Sequence, residues 1–373
     1  MKVLSWNLSW ANEVMPKIEY LRKQIFGKTF IVILQEVKPH VYDSLKELLS
    51  DIAHIEYSLS YRSPGKYDTN SRKLGIAILI SKDIVVKNAK VIDRALMPDR
   101  TLMVDVTFNN MPLRILGLHS LTGCQHLKAK EVQYFSFAEA IDTYTPDIVG
   151  IDANEPQVDH YDISQMRFFD NYQNGNGCKT FFETMKQNAL VDAFVKNYDK
   201  SNFVEGEYLT TSHIIKRGNK KVRYDFLFIN KEKFNDYSCI YEYEGAVCAG
   251  SDHAAIIVEW KHNIYHMKLH PAPFAMIKSG QKTIELRLFD EKRQHIREGD
   301  EIVFTNTESG ETLTKTVMKL HHFDSFEELY RALPLLQCGY TAEDIDTAHP
   351  SDMEQYYSVD EQKKYGVVGI EVC

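Results

Sequence analysis

Polar residues of the kinds that bind metals or move protons follow, or are embedded in, apolar, strand-like runs at six places in the first two thirds of this chain. The six segments are Ser5-Trp6-Asn7, Gln35-Glu36, Leu118-His119-Ser120, Asp152-Ala153-Asn154, Tyr224-Asp225-Phe226 and Ser251-Asp252-His253. Burial of one such side chain without a partner costs several kcal/mol. A single polar residue at a strand end carries little information, but six of them predict strand ends that gather into one site.

The first part of the chain alternates apolar runs of strand type with stretches of helical periodicity. Strands are predicted at 30–34, 74–81, 102–108, 147–151, 223–230 and 255–260, and helices at 15–26, 126–143 and 188–198. This order predicts a layered α+β domain that contains either two sheets or one large mixed sheet.

The pattern changes near residues 261–263. Beyond this point, short strands separated by turn signals are predicted at 283–287, 300–306, 312–320 and 365–372. One helix is predicted to end at Gly280, and Ser325 followed by Glu328 has the form of a capping box that begins another. The sequence therefore predicts two domains, 1–262 and 263–373, of which the second is a small β-barrel with helices attached.

The composition limits the classes of function. A formal net charge of −8 over 373 residues gives no general basic field, which disfavours a protein that simply coats DNA. A metallonuclease is not excluded, because its site must itself be acidic. The six cysteines contain no Cys-x-x-Cys pair, and no apolar run approaches the roughly 20 residues of a membrane span, so we expect a reduced, cytoplasmic protein.

Hydrolysis of a phosphodiester would use the acidic members of the six segments. A divalent metal neutralises phosphate charge and favours an attacking hydroxide, and Mg²⁺ needs only one or two carboxylates because it keeps several waters. Glu36 is the best candidate for a metal ligand, with Asp252 or Asp225 nearby. Asn7 and Asn154 can orient phosphate oxygens, metal waters or an acidic partner without adding repulsion.

The same segments supply groups for proton transfer. A base or charge stabiliser that works near neutral pH is a natural task for histidine, and His253 suits it. An acidic neighbour such as Asp225 can hold the ring of that histidine, as in catalytic triads. Asp152 can orient or deprotonate the attacking water.

In order and spacing, these motifs resemble the endonuclease/exonuclease/phosphatase superfamily, which includes pancreatic-type deoxyribonucleases, exonuclease III-like enzymes, inositol polyphosphate phosphatases and sphingomyelinases. Over residues 1–260 the resemblance implies a four-layer αββα sandwich with its site at one edge of both sheets. The implied roles are metal binding by Glu36 with Asn7 beside it and Asp252 near it, contact with phosphate and nucleophile by Asp152 and Asn154, and an Asp225–His253 pair. His119 matches the histidine of the deoxyribonuclease branch, but the sequence offers no evident carboxylate partner for it.

A basic run leads into the segment around Asp225. It consists of Lys216, Arg217, Lys220, Lys221 and Arg223. Arg217 and Arg223 are candidates for binding the phosphates that flank the scissile one. The alternative is a solvated hairpin, which is the commoner setting for such a run of charge.

A second group of charges lies in the segment Gly280-Gln281-Lys282-Thr283-Ile284-Glu285-Leu286-Arg287. With the barrel pattern around it, this segment resembles the ASCH domain, a relative of RNA-binding PUA barrels. The resemblance implies a cleft lined by Lys282, Glu285 and Arg287 that receives RNA or a nucleotide-like ligand. Glu285 stands where the amidase branch of that family has threonine, so the amidase activity is not carried over. The alternative is a surface salt-bridge ladder that contributes little to stability.

The sequence thus favours a Mg²⁺- or Mn²⁺-dependent phosphodiesterase. We expect a nuclease whose ASCH-like domain selects an RNA or modified-nucleotide substrate. Three alternatives remain open at this point: a small-molecule phosphatase or phosphodiesterase, a non-catalytic RNA-binding protein, and a second, nucleoside-amidase activity in the ASCH-like part. The sequence does not decide between RNA and DNA, or between internal and terminal cleavage.

Overall fold

The computed structural model describes residues 1–9, 13–64, 74–108, 111–169, 176–260 and 264–373, without the side chains of residues 123–127. The chain divides into two compact units, Met1–Lys261 and His262–Cys373. The predicted change of pattern at residues 261–263 lies outside the described residues. No helix in the described ranges is both long and apolar enough to cross a membrane.

The strands of the first unit form two six-stranded sheets and one short hairpin. Its strands are β1 Lys2–Asn7, β2 Phe30–Val37, β3 Ala53–Tyr57, β4 Gly75–Ser81, β5 Val85–Lys90, β6 Thr101–Phe108, β7 Met111–His119, β8 Ile148–Asp152, β9 Leu190–Asp192, β10 His213–Ile215, β11 Lys220–Val222, β12 Asp225–Asn230, β13 Tyr237–Glu242 and β14 Ala255–Trp260. One sheet has the order β13-β14-β1-β2-β4-β3 and the other β5-β6-β7-β8-β12-β9, while β10 pairs with β11.

Helices cover the outer faces of both sheets. They are α1 Met15–Ile25, α2 Pro39–Leu49, α3 Gly123–Tyr144, α4 Gly177–Gln187, α5 Ala193–Lys196 and α6 Glu244–Cys248. Apolar side chains of α1 and α2 pack on the β1–β2–β4 face, and those of α3 and α4 pack on the β7–β8–β12 face. A third apolar cluster fills the space between the two sheets. The unit is therefore a four-layer αββα sandwich, which confirms the fold expected from the resemblance and decides for two sheets over one.

The two sheets approach each other closely where Gly150 lies in β8. A Cβ atom at that position would lie 2.7 Å from Ser5 Oγ and 3.0 Å from Ile33 Cδ1, two side chains of the facing sheet. A side chain at this position would force Ser5 and Ile33 to shift, so glycine is the residue that fits here without rearrangement. Asp152 follows two residues later and is thus held close to the end of β1.

The helix predicted over residues 188–198 is wrong. The structure has strand β9 over Leu190–Asp192, paired with β12, and only the short helix α5 after it. The side chain of Asp192 accepts a hydrogen bond from the backbone N–H of Phe194 and so caps α5. Pairing with a buried strand outweighs the helical periodicity of this segment.

The second unit contains one curled, five-stranded sheet of half-barrel form. Its elements are β15 Ile264–Leu269, α7 Pro271–Ser279, β16 Ile284–Leu288, β17 Glu301–Asn306, β18 Thr312–Phe323, α8 Phe326–Ala332, α9 Val359–Tyr365 and β19 Val367–Val372. Gly280 ends α7 in the left-handed conformation, and the Ser325 side chain caps α8 at the backbone N–H of Glu328, as predicted. The strand order is β15-β17-β18-β19-β16, consistent with a PUA-like domain.

Candidate active site and candidate ligand pocket

Strand register brings three of the predicted site residues side by side in the second sheet. His119 at the end of β7 pairs with Asp152 at the end of β8, and Asp152 pairs with Asp225 at the start of β12. All three side chains are buried, at 3%, 2% and 3% exposure. The sequence placed each of them at a strand end, and pairing in one sheet makes those ends adjacent.

Two residues of the facing sheet complete this edge. Asn7 ends β1, and its side-chain amide donates a 2.8 Å hydrogen bond to Asp152 Oδ2, which links the two sheets at the site. Glu36 has a left-handed φ of 57°, at a shift in the register of β2 with β4 between Leu34 and Val37. A bulge of this kind re-aims a side chain. The Glu36 side chain remains 17% exposed, so it is accessible from solvent.

Glu36, His119 and Asp152 each offer a ligand atom within 4.8 Å of the others. His119 Nε2 lies 3.6 Å from Glu36 Oε1 and 3.7 Å from Asp152 Oδ2. Asp152 also belongs to a second such group with Asp225 and His253. Asp152 therefore joins the predicted metal ligand Glu36 to the predicted proton-transfer residue His253.

His253 is paired with Asp225 through a 2.8 Å contact between Nδ1 and Oδ2. Burial opposes the charged form of this ring, but Asp225 and then Asp152 and Asp252 outweigh burial and raise the pKa of His253 to about 10. The other carboxylate oxygen of Asp225, Oδ1, has no hydrogen-bond partner among the described residues. The ring is thus oriented by Asp225 and is protonated at neutral pH in the metal-free protein.

The carboxyl group of Asp152 has the opposite character. Burial and the neighbouring carboxylates of Asp225 and Glu36 raise its pKa to about 7, although His253 and the Asn7 amide act against this. A carboxylate with a pKa near neutrality can accept or release a proton under physiological conditions. This is the property required of a residue that deprotonates a water.

Asp252 lies in a third group, with His213 and His253. Its Oδ1 is 4.0 Å from His253 Nε2, and its side chain is 44% exposed. Burial acts to raise the pKa of Asp252, but His253 and His213 have the larger combined effect and lower it. The group that contains Glu36 does not include Asp252, so the two predicted metal ligands belong to neighbouring clusters of the described residues.

Arg100 is a site residue that the sequence reasoning missed. Its Nη1 donates to the backbone oxygen of Ser120 at 3.0 Å and lies 3.4 Å from His119 Nε2. Burial and then the Arg100 charge lower the pKa of His119 well below its usual value, so this histidine is neutral. His119 therefore has three charged neighbours, which are the guanidinium of Arg100 and the carboxylates of Glu36 and Asp152. The only signal in the sequence was an arginine two residues before a predicted strand.

Asn154 is held by its backbone. It has a left-handed φ of 50°, and its N–H donates to Asp152 Oδ1 at 3.1 Å. Its carbonyl oxygen accepts a 2.7 Å hydrogen bond from Lys130 of α3, and Lys130 also pairs with Glu155 at 2.7 Å. The last two side chains are 1% and 0% exposed. Nothing in a helical pattern identifies a buried lysine of this kind, and the sequence reasoning missed it.

The two arginines of the basic run are separated by the fold. Arg217 is exposed in the turn between β10 and β11. Arg223 is fully buried and donates two hydrogen bonds to Asp159, at 2.8 and 2.7 Å, and one to Asp192. The structure does not bring Arg223 to the cluster around Asp152. Its predicted contact with substrate phosphate gives way to a role in the core, because no solvent reaches its guanidinium.

In the second unit, Lys282, Glu285 and Arg287 lie together as predicted, and they line a cavity of about 430 Å³. Glu285 Oε2 is 2.9 Å from Lys282 Nζ, and Glu285 Oε1 is 2.9 Å from Arg287 Nη2. The three side chains are 10%, 4% and 17% exposed, which excludes an exposed surface ladder. Lys282 precedes β16, and this position lets it join the two residues that share a strand face.

Other residues of this cavity were not predicted. Tyr357 accepts a 3.1 Å hydrogen bond from Arg287 Nη1, and the hydroxyl of Tyr340 donates to Asp352 Oδ2 at 3.0 Å. Tyr340, Asp352 and Tyr357 come from the long segment between β18 and β19, which lacks strands, while Lys268, His270 and Thr307 line the cavity from other parts of the unit. Arg287 Nε is buried without a hydrogen-bond partner in the described part of the chain.

Residues 267–373 match the family model of the ASCH domain. The crystal structure of hypothetical protein PH0355 is 34% identical and covers 29% of this chain and 96% of its own, with a TM-score of 0.25. The structure of D. rerio TDP2 complexed with single strand DNA product is 13% identical, with coverage of 69% and 97% and a TM-score of 0.45. The human Nocturnin catalytic domain with bound sulfate anion is 13% identical, with coverage of 69% and 93% and a TM-score of 0.48. Among curated proteins, no sequence matches the chain.

Proposed function

We propose that this protein, whose residues 267–373 form an ASCH domain, is a divalent-metal-dependent phosphodiester hydrolase that cleaves nucleic acid, with RNA the favoured substrate. The observation that carries the proposal is the position of Asp152. This buried carboxylate lies in one cluster with Glu36 and His119 and in another with Asp225 and His253. A cation-binding carboxylate and a charged imidazole thus face the same small volume.

The donor set fits a hard divalent cation. Carboxylate oxygens of Glu36 and Asp152 converge here, which is the ligand chemistry that Mg²⁺ and Mn²⁺ prefer, and Asn7 lies beside them at the end of β1. Burial, and then the carboxylates of Asp225 and Glu36, raise the pKa of Asp152, so a cation beside it would favour its ionised form. Glu36 and Asn7 would hold the cation, with Asp252 in reach from the neighbouring cluster. A bound cation would supply charge neutralisation at the phosphate and a more acidic water.

The protein groups have separate tasks in this proposal. Asp152, with its pKa near 7, accepts the proton of the attacking water. Asn154 orients a phosphate oxygen, from a backbone fixed by the buried Lys130. His253 remains protonated and stabilises the negative charge that develops on the phosphate, while Asp225 keeps its ring in place. Neutral His119 orients the substrate without adding charge.

The ASCH pocket supports the choice of nucleic acid. Its charges are paired within the protein, so it suits a ligand with a flat, polar and largely neutral group such as a base. A volume of about 430 Å³ suits one nucleoside-sized group. We therefore assign the chemistry to the first unit and recognition of RNA, or of a modified nucleotide, to the second.

A substrate panel tests the proposal. RNA, DNA, abasic DNA and phosphomonoesters are incubated with the full chain and Mg²⁺ or Mn²⁺, and then after chelation of the metal. We expect metal-dependent cleavage of RNA, and a loss of about 10²–10⁴-fold in rate for His253→Ala. His40→Ala, on the exposed face of α2, is the matched control and should cleave as the wild type does.

Three results would count against it. Turnover of a small ester alone would make the protein a small-molecule phosphatase or phosphodiesterase. RNA binding without metal and without turnover would make it a binding protein. Cleavage by His253→Ala at the wild-type rate would remove the role assigned to His253.

A further inference from the structure

His213 is a histidine of the first unit to which the proposed mechanism gives no task. It begins β10 and forms an isolated antiparallel bridge with His253. The two imidazole rings stack, with centroids 4.6 Å apart and planes at 25°. His213 is only half-buried, so its ring covers the proposed catalytic histidine on the side that faces solvent.

The hydrogen bond of His213 defines which nitrogen is available. Its Nδ1 lies 2.9 Å from the backbone oxygen of Asp252. A carbonyl oxygen only accepts, so Nδ1 carries the proton, and in the neutral ring Nε2 keeps the lone pair. This is the arrangement of metal-binding histidines, in which the far nitrogen donates to a carbonyl or carboxylate and fixes the ring.

His253 is held in the same way through Nδ1, but it is protonated in the metal-free protein, so zinc would bind its Nε2 in exchange for the proton. Its Nδ1 is 2.8 Å from Asp225 Oδ2, which leaves Nε2 on the side of Asp252, 4.0 Å from Oδ1. One ligand atom from each of His213, Asp252 and His253 lies within 4.8 Å of the other two. The Asp252 side chain is 44% exposed, so an ion can enter from solvent.

We propose that His213, Asp252 and His253 form a second cation site, selective for Zn²⁺, and that its occupation inhibits the hydrolase. Two imidazoles and one carboxylate are a zinc donor set, whereas Mg²⁺ prefers oxygen. Zinc on His253 Nε2 takes the nitrogen that must face the phosphate. The binding site stands on geometry alone, and only the inhibition rests on the proposed function.

Zinc titration calorimetry of the full chain tests the site, in millimolar Mg²⁺ so that the cluster around Glu36 is occupied. His213→Phe keeps the stacked ring and removes the ligand, and we expect zinc affinity to fall at least about tenfold. His213→Gln keeps a donor to the Asp252 carbonyl and should weaken zinc in the same way, which covers the case of a misfolded phenylalanine variant. His40→Ala should bind zinc as the wild type does.

The activity arm compares each variant in zinc with its own rate without zinc. The zinc concentration for half inhibition should rise at least about tenfold in His213→Phe, in line with the loss of affinity. Unchanged zinc affinity in both His213 variants would overturn the proposal. So would zinc binding that Glu36→Gln abolishes and His213→Phe retains. Zinc binding as expected, with no turnover of any substrate, would uphold the site and refute the proposed function instead.

Discussion

The two units treat buried charge in opposite ways. In the second unit, Glu285 lies between Lys282 and Arg287, and each contact is 2.9 Å, so the pocket neutralises itself. In the first unit, Asp152 lies among other carboxylates, and its pKa is raised to about 7. A self-neutralised pocket is ready for an uncharged group, whereas a cluster of acids is incomplete without a cation.

The difference shows where recognition and chemistry belong. Paired charges hold the side chains of a pocket in place and produce little net electric field. Such a pocket suits the selection of a ligand. Unbalanced charges store electrostatic repulsion that a cation or a proton relieves, and such clusters perturb pKa values at active sites. Four substitutions test this contrast, from the largest expected effect to the smallest.

Asp225→Asn should have the largest effect on turnover. The amide no longer holds His253 as a charged ring, so we expect a loss of about 10²–10⁴-fold in kcat. The wild-type pKa of His253 is raised to about 10, in large part by Asp225, and it falls in the variant. The alkaline limb of the pH–rate profile should therefore move to lower pH. A full loss of rate with an unmoved alkaline limb would contradict the role of this pair.

Arg223→Met should have the largest effect on folding. It leaves Asp159 and Asp192 buried without their partner, and breaking such a pair costs about 3–5 kcal/mol. Denaturant unfolding followed by tryptophan fluorescence measures this, since the tryptophans lie in the first unit. Arg217→Met is the matched control from the same basic run and should leave stability unchanged. If Arg217 contacts nucleic acid, Arg217→Met releases about one counterion fewer on binding. The slope of log affinity against log salt concentration then becomes smaller by about one.

Lys282→Met tests the self-neutralised pocket. Glu285 keeps Arg287 as a partner, so the expected loss of stability is smaller, about 1–3 kcal/mol. Hydrogen exchange at the amides of β16 measures it in the full chain. Arg331→Met removes the exposed pair with Glu327 and should change stability by less than about 0.5 kcal/mol. Equal effects of the two substitutions would show that burial of the Lys282 pair has no energetic consequence.

Asp152→Asn should stabilise the metal-free protein, and this shift in stability is the smallest of the four effects. The folded-state pKa of Asp152, about 7, lies above its ordinary 3.8, so ionisation disfavours the folded state and stability falls as pH rises through that interval. The amide cannot ionise, so we expect a rise of a few degrees in Tm at pH 8 and little change at pH 4. The exposed Asp93→Asn is the control. A Tm that is unchanged at pH 8 would refute the raised pKa of Asp152.

The sequence predicted the edge on which the first site lies, because most of the site residues lie at or near a strand end. Strand ends such as those at Asn7, Asp152 and Asp225 are readable from apolar runs and the polar residue beside them. The sequence did not predict which residues form each cluster. The grouping of Asp252 with His213 and His253, apart from Glu36, joins the loop before β14 to the start of β10, and periodicity does not encode that contact.

Two arginines show what a sequence pattern does not predict: one that was predicted to bind substrate is structural, and one that was not predicted lies in the site. Arg223 looked like a phosphate contact because it ends a basic run, yet it is the buried centre of a carboxylate network. Arg100 gave almost no signal, yet it contacts His119. Neither residue lies within a strand, because Arg223 stands between β11 and β12 and Arg100 directly before β6, so strand alternation does not tell where either side chain points.

The close packing at Gly150 restricts how this protein can evolve. A methyl group added there would collide with Ser5 and Ile33 of the opposing sheet, two residues before the carboxylate at position 152. Even alanine would require Ser5 and Ile33 to shift beside the line where Asn7 donates to Asp152. A larger residue at position 150 would therefore disturb the spacing of the two sheets next to the reacting groups.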